Sequence, residues 1–243
     1  MTIWGKVLGG TVGFVLGGPL GALIGGVAGH AVDKLQRGRQ DEDRAGTKEI
    51  AFTIGVIVLG AKMAKADGVV TPEEVRAFKE VFHVPPDELK NVGRVFDRAR
   101  QDAEGFEPYA KQVAELFKGK PAVLEDLLDG LFHIAKADDV VHPAELEFLA
   151  EVARIFGFSA AEWARIREGY VGADQADPYR ILGVDRAISD AELKRRYRKL
   201  AKEHHPDVLV GQGLPKEFVE VASEKLASIN AAYERIARER GIG

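Results

Sequence analysis

Residues 189–207 read SDAELKRRYRKLAKEHHPD, and this stretch decides how the last third of the chain folds. Ser189 and Glu192 stand three apart, the spacing at which the two side chains cap a helix start reciprocally. The helix they open puts Leu193, Tyr197, Leu200 and His204 on one stripe. Lys194, Arg195, Arg196, Arg198, Lys199 and Lys202 fill most of the remaining surface, with no acid between Leu193 and Lys202. Pro206 has no amide hydrogen with which to continue the ladder, so this helix ends before it. Phe218, Ala222, Leu226, Ile229, Tyr233 and Ile236 then recur at helical spacing, which predicts a return helix packed antiparallel on the first. The turn between them displays His205, Pro206 and Asp207. Just upstream, Asp177-Pro178 and Gly183 bracket a short helix through Ile181-Leu182: aspartate caps, proline enters and glycine exits.

From Lys48 to about Tyr170 the apolar residues also recur at helical period, and no strand-like alternation persists. The pattern predicts an all-helical bundle, with helices near 49–66, 72–82, 86–103, 107–117, 121–137, 143–156 and 160–170. Thr71-Pro72-Glu73-Glu74 and Ser159-Ala160-Ala161-Glu162 are helix-start signals. An internal echo is present: Ala64-Lys65-Ala66-Asp67-Gly68-Val69-Val70-Thr71-Pro72 returns as Ala135-Lys136-Ala137-Asp138-Asp139-Val140-Val141-His142-Pro143. This reads as a duplicated helical pair. Asp67 and Glu74, with their counterparts Asp138 and Glu145, are candidate oxygen ligands for calcium or magnesium. Their spacing is not that of an EF-hand loop, and first-turn carboxylates equally suit the positive end of a helix dipole.

At the other end, residues 7–32 carry no formal charge, a length sufficient to cross a hydrocarbon layer that needs about 20 apolar residues. Gly5, Gly9, Gly13, Gly17, Gly21, Gly25 and Gly29 recur every fourth position, a shallow ridge on which a second helix packs closely. In water so many glycines would cost about 1 kcal/mol each relative to alanine, whereas in lipid the backbone has no other hydrogen-bonding choice. Pro19 predicts a bend or two half-helices. A cleaved leader fits less well, because the apolar run is long, the positive start is a single lysine, and Gly29-His30-Ala31 is a poor cleavage site. An apolar strip lying on a membrane surface or on the protein's own core is the alternative to a spanning helix. Lys34, Arg37, Arg39 and Arg44 follow the segment, so the positive-inside rule places the bulk of a single-pass protein in the cytoplasm.

Composition removes several function classes. Without cysteine the chain has no disulfide, thiolate zinc site or cysteine nucleophile. The net charge is -4; residues 177–243 hold 13 Lys+Arg against 11 Asp+Glu, and residues 48–176 hold 16 against 23. Neither balance has the concentrated positive excess of a nucleic-acid binder.

Taken together, Asp177-Pro178-Tyr179-x-Ile181-Leu182-Gly183-Val184, the cationic helix, His205-Pro206-Asp207 and Ile229-Asn230-x-Ala232-Tyr233 resemble a J domain. The repeated lysine-alanine-aspartate turn is similar to that of the TerB-like helical domain, a resemblance that implies metal binding at Asp67, Glu74, Asp138 and Glu145. The order of parts resembles the DjlA type of membrane-anchored DnaJ-like protein. Trp4-Gly5-Lys6, Gly29-His30, Asp33-Lys34 and Gly213-Leu214-Pro215 carry that likeness too. The organisation expected is a glycine-zipper transmembrane segment over 1–33, a charged linker over 34–47, a TerB-like domain over 48–171, a linker over 172–176 and a J domain over 177–243.

The resemblance implies a non-enzymatic co-chaperone that stimulates a DnaK-type ATPase. His205, Pro206 and Asp207 would be its essential contacts, and Tyr197, Lys194, Arg195, Arg198, Lys199 and Lys202 its docking face. The setting would be the cytoplasmic side of the inner membrane, with Gly9, Gly13, Gly17, Gly21 and Gly25 pairing two copies. Neither a cofactor nor nucleic acid is expected. The resemblance implies a chain without the general client-binding modules of larger DnaJ proteins, with client choice left to the middle domain or to membrane location. A membrane-bound metal or stress sensor, with the acidic middle as receptor, is the competing reading.

Overall fold

Every residue from Ile50 to Ala64 is buried, and Lys62 is the only charge among them. A helix apolar on all sides belongs inside a bundle, and this one, α2 (Glu42–Ala66), is the axis of the fold. The computed structural model describes residues 17–25, 42–66, 76, 79, 84–86, 89–102, 105–137, 141–170 and 176–242. Around α2 pack α3 (Leu89–Gln101), α4 (Glu107–Leu116), α5 (Pro121–Ala135) and α6 (Pro143–Ile155). Two glycines of α2 set how near they come: a Cβ on Gly55 would lie 2.8 Å from Val113, and one on Gly60 would lie 3.3 Å from Ile134. Lys62 is tolerated because its ammonium meets Asp102 at 2.9 Å and lies over the Tyr109 ring.

α7 (Ala160–Glu168) closes the bundle, with the Ser159 and Glu162 caps as expected: the Glu162 carboxylate accepts Ser159 N at 2.8 Å. The aromatic contact beneath it stacks Phe132 between Tyr170 and Trp163, with centroids 4.1 and 5.7 Å away. The anticipated bundle helices fall within a few residues of those found, with two differences. α2 begins at Glu42, inside the stretch read as a charged linker, because Gly46 alone costs about 1 kcal/mol and the long buried helix absorbs it. The helix expected over 72–82 falls almost wholly outside the described residues; Arg76 and Lys79 are helical.

Of the glycine-rich start, the described part is Gly17 and α1 (Gly18–Gly25). Gly17 and Gly18 take φ of 55° and 58°, left-handed values that break the chain just before Pro19, in line with the expected interruption. Gly9 and Gly13 lie outside the described residues. Leu20 and Leu23 are buried against the bundle, and Gln112 fastens the break by accepting Leu20 N and donating to Gly17 O, both at 2.8 Å. No helix among the described residues is long and apolar enough to cross a membrane.

The C-terminal third comprises α8 (Pro178–Leu182), α9 (Asp190–Glu203), α10 (Pro206–Gln212), a 3-10 turn (Lys216–Phe218) and α11 (Val219–Arg240). α9 and α11 form the anticipated hairpin over a core of Tyr179, Leu182, Leu193, Leu200, Ile229, Ala232 and Ile236. The stripe on α11 is not devoted to one partner, however. Phe218, Val221 and Ala222 leave the hairpin and join the core of the bundle, together with Leu209 and Leu214. The segment expected to be a loop is therefore largely helical, since Pro206 ends one helix and occupies the first turn of the next, where its missing N–H is no loss.

Candidate functional site

The His-Pro-Asp corner stands where α9 and α10 meet. His205 caps α10, with its Nδ1 accepting the Asp207 backbone N–H at 3.3 Å. The corner faces outward: side-chain exposure is 51% for His205 and 94% for Asp207. Two helix ends fix its backbone, while its imidazole and carboxylate remain open to another molecule.

Beside it α9 presents Lys194, Arg195, Arg198, Lys199 and Lys202, all exposed. Arg195 and Lys199 approach Glu192 and Glu203 no nearer than 3.7 and 3.8 Å, pairs too solvated to neutralise the face. Arg196 differs from its neighbours: it is half-buried and donates to the Leu182 carbonyl at 2.9 Å, and burial, followed by the nearby Arg165 charge, lowers its pKa. Tyr197 is also half-buried; its ring stacks on Tyr233 at 4.1 Å and its hydroxyl donates to Asn230 Oδ1 at 3.1 Å. It braces the hairpin beneath the cationic face.

Arg240 ties the far end of the hairpin. Its guanidinium donates to the Ile188 and Arg186 carbonyls, both at 2.7 Å, to Asp190 Oδ1 at 2.9 Å and to the Tyr179 hydroxyl at 3.0 Å. These bonds hold the start of α9 against the end of α11 and so set the direction in which the cations point.

Of the candidate metal ligands, Asp67, Glu74 and Asp138 lie outside the described residues. Glu145 is buried, and its carboxylate accepts the His142 backbone N–H at 2.8 Å as the cap of α6. Among the described residues no group of three His, Asp or Glu side chains is placed to hold a metal ion.

Sequence reasoning missed a second cluster. Glu125, Asp126 and Asp129 are buried on α5, a helix otherwise almost wholly apolar, and they face Arg165, His204 and Lys225. Acids at positions i, i+1 and i+4 of such a helix were the available signal, since a buried carboxylate requires a partner. By spacing His204 fits the hairpin stripe, yet its imidazole turns to α5 instead.

A capped short helix, a cationic helix, an outward His-Pro-Asp corner and a return helix define the J-domain class, and residues 177–240 match the DnaJ domain family. Residues 53–168 match the family described as Tellurite resistance protein TerB, and residues 1–48 match the Co-chaperone DjlA transmembrane domain. The chain belongs to the DjlA family of co-chaperones. It is 33% identical over 277 residues to Co-chaperone protein DjlA of Photobacterium profundum, with 99% of this chain and all of that protein covered. To the protein of the same name from Vibrio cholerae it is 37% identical over 285 residues, covering 100% of both. For the Coxiella burnetii protein the figures are 29% over 266 residues and 98% of each. No solved structure matches the chain. The membrane segment thus rests on the match over residues 1–48.

Proposed function

We propose that this J-domain co-chaperone stimulates ATP hydrolysis by a DnaK-type chaperone from the cytoplasmic face of the inner membrane. The observation that supports this most is the pairing of an exposed His205-Pro206-Asp207 corner with five exposed cations on the adjoining helix. The cations attract an acidic surface and raise the encounter rate, while the corner supplies contacts that differ between the partner's resting and hydrolysing states. Only such differential contact shifts the partner toward turnover. The chain itself performs no chemistry in this scheme. Lys194, Arg195, Arg198, Lys199 and Lys202 are the contact face, with Tyr197 supporting it from below.

The glycine-rich start anchors the chain in the membrane, while Gly21, buried where α1 packs on the bundle, is closed to pairing with a second copy. The TerB-like domain serves as the regulatory module. In a steady-state ATPase assay with a DnaK-type chaperone, the full chain in detergent micelles should accelerate hydrolysis and His205→Gln should not. Equal acceleration by the two would refute the proposal.

A further inference from the structure

A cluster of buried charges lies where the J domain meets the bundle. α5 contributes Glu125, Asp126 and Asp129, α7 contributes Arg165, and the J domain contributes His204 and Lys225. None has a side chain more than 11% exposed. Arg165 clasps Glu125 with both ends of its guanidinium. Lys225 Nζ lies 2.8 Å from Glu125 and 3.2 Å from Asp129, whose Oδ1 also accepts the Tyr170 hydroxyl at 2.6 Å. His204 sits between two acids, with Nε2 3.7 Å from Glu125 and Nδ1 3.8 Å from Asp126. Neither oxygen of Asp126 has a hydrogen-bond partner, nor has His204 Nδ1. Three carboxylates therefore face two permanent cations, and the proton on His204 decides whether the buried group is neutral. An uncompensated buried charge is costly, so the proton matters.

The second anchor is the segment that leaves the corner. Leu209, Leu214 and Phe218 are buried in the bundle core, and Lys120 Nζ donates to the Gln212 carbonyl at 2.8 Å. Gly213, at φ 109°, lets the backbone press on α2; a Cβ there would lie 2.7 Å from that of Lys48. The Gly213-Leu214-Pro215 motif thus serves docking, and the corner lies between two anchors, His204 immediately before it and Leu209 two residues after it.

We infer that the TerB-like domain carries an internal docking site for its own J domain, keyed by the imidazolium of His204, and that docking fixes the orientation in which the corner meets its partner. This deepens the proposed co-chaperone function and rests on it. The sign of the pH response follows from the cluster. Burial opposes a charged His204, but the Glu125 and Asp126 carboxylates outweigh it and raise its pKa above the ordinary 6.5. Burial pushes Asp126 up to about 6, with the facing His204 pulling the other way. Both groups bind protons more tightly when docked. Docking is thus strongest below 6.5 and is lost as pH rises through the elevated value of His204. Glu125 stays ionised throughout: burial raises its pKa, but Lys225, Arg165 and His204 together hold it well below the carboxylate range. Lys225 stays charged too, since Asp129 and Glu125 overcome the effect of burial and raise its pKa.

The test is hydrogen exchange of residues 206–222 in the full chain in micelles at pH 6.5 and pH 9, corrected for intrinsic rates. In the wild type, exchange should be roughly tenfold faster at pH 9, as the docked fraction falls. Asp126→Asn balances two acids against two cations without a proton on His204, so the pH difference should vanish and exchange remain slow. Lys225→Glu should exchange fast at both pH values. At neutral pH it should also need roughly ten times the concentration for half-maximal stimulation of a DnaK-type ATPase, since the competent fraction scales apparent affinity. Slow exchange in Lys225→Glu, a pH response that survives Asp126→Asn, or opened exchange with unchanged half-maximal concentration would overturn the inference. Loss of discrimination by the His205→Gln control would instead indict the co-chaperone reading, leaving the exchange data to judge docking separately.

Discussion

Replacing Phe218 by alanine should destabilise a domain to which that residue does not belong in sequence. The Phe218 ring is 1% exposed, meets the Phe52 ring edge-on at a centroid distance of 4.6 Å, and lies over Gly130, where an added Cβ would come within 2.9 Å of it. Truncating a buried phenylalanine typically costs about 3–5 kcal/mol, and the site has little freedom to collapse between α2 and α5. With a urea dependence of about 2 kcal/mol per molar, the unfolding midpoint should fall by about 2 M. Trp163 lies in the bundle, stacked on Phe132, and the J domain has no tryptophan, so Trp163 fluorescence reports the bundle alone once Trp4 is replaced by phenylalanine. A companion substitution supplies a sign test. Gly130→Ala should destabilise the wild type by about 1–3 kcal/mol through collision with the ring. In the Phe218→Ala background it should stabilise, by up to about 1 kcal/mol, because only the helix-propensity gain remains. An unchanged Trp163 transition in Phe218→Ala, or strictly additive effects in the pair, would refute the shared core.

Reversing two exposed cations, Arg195→Glu with Lys199→Glu, should slow association with a DnaK-type chaperone in stopped-flow measurements and flatten its salt dependence. An unaltered salt slope would exclude the α9 face from the encounter. Calcium or magnesium titrated into the full chain should leave its melting temperature unchanged, because Glu145 is engaged as a helix cap; a rise with metal would favour the sensor reading instead.

Much of the hairpin was legible because its signals are local. The caps at Asp177 and Ser189, the αL glycine at Gly183 and the break at Pro206 each act within one turn, and each appears where the residues place it. The corner could be read for the same reason: a proline between two amphipathic runs leaves its neighbours at a bend. What could not be read was which core each apolar residue would enter. Phe218, at the end of the 3-10 turn, continues the stripe that Ala222 and Ile229 form on α11, yet the first two face the bundle and the third faces α9, since the stripe is longer than the surface α9 offers. His204 shows the same limit. Its spacing fits the hairpin stripe, but a titratable ring is better matched by the carboxylates of α5, which lie nearly eighty residues earlier in the chain. Periodicity reveals that a face is buried, and long-range charge pairing then chooses what it is buried against.

Single-turnover hydrolysis by a DnaK-type chaperone preloaded with ATP shows whether the exposed corner acts on an ATP-hydrolysing partner. The full chain should raise the rate constant, Asp207→Asn should abolish the increase, and neither protein should hydrolyse ATP alone. An Asp207→Asn rate equal to that of the wild-type chain would mean that the corner does not act on the partner.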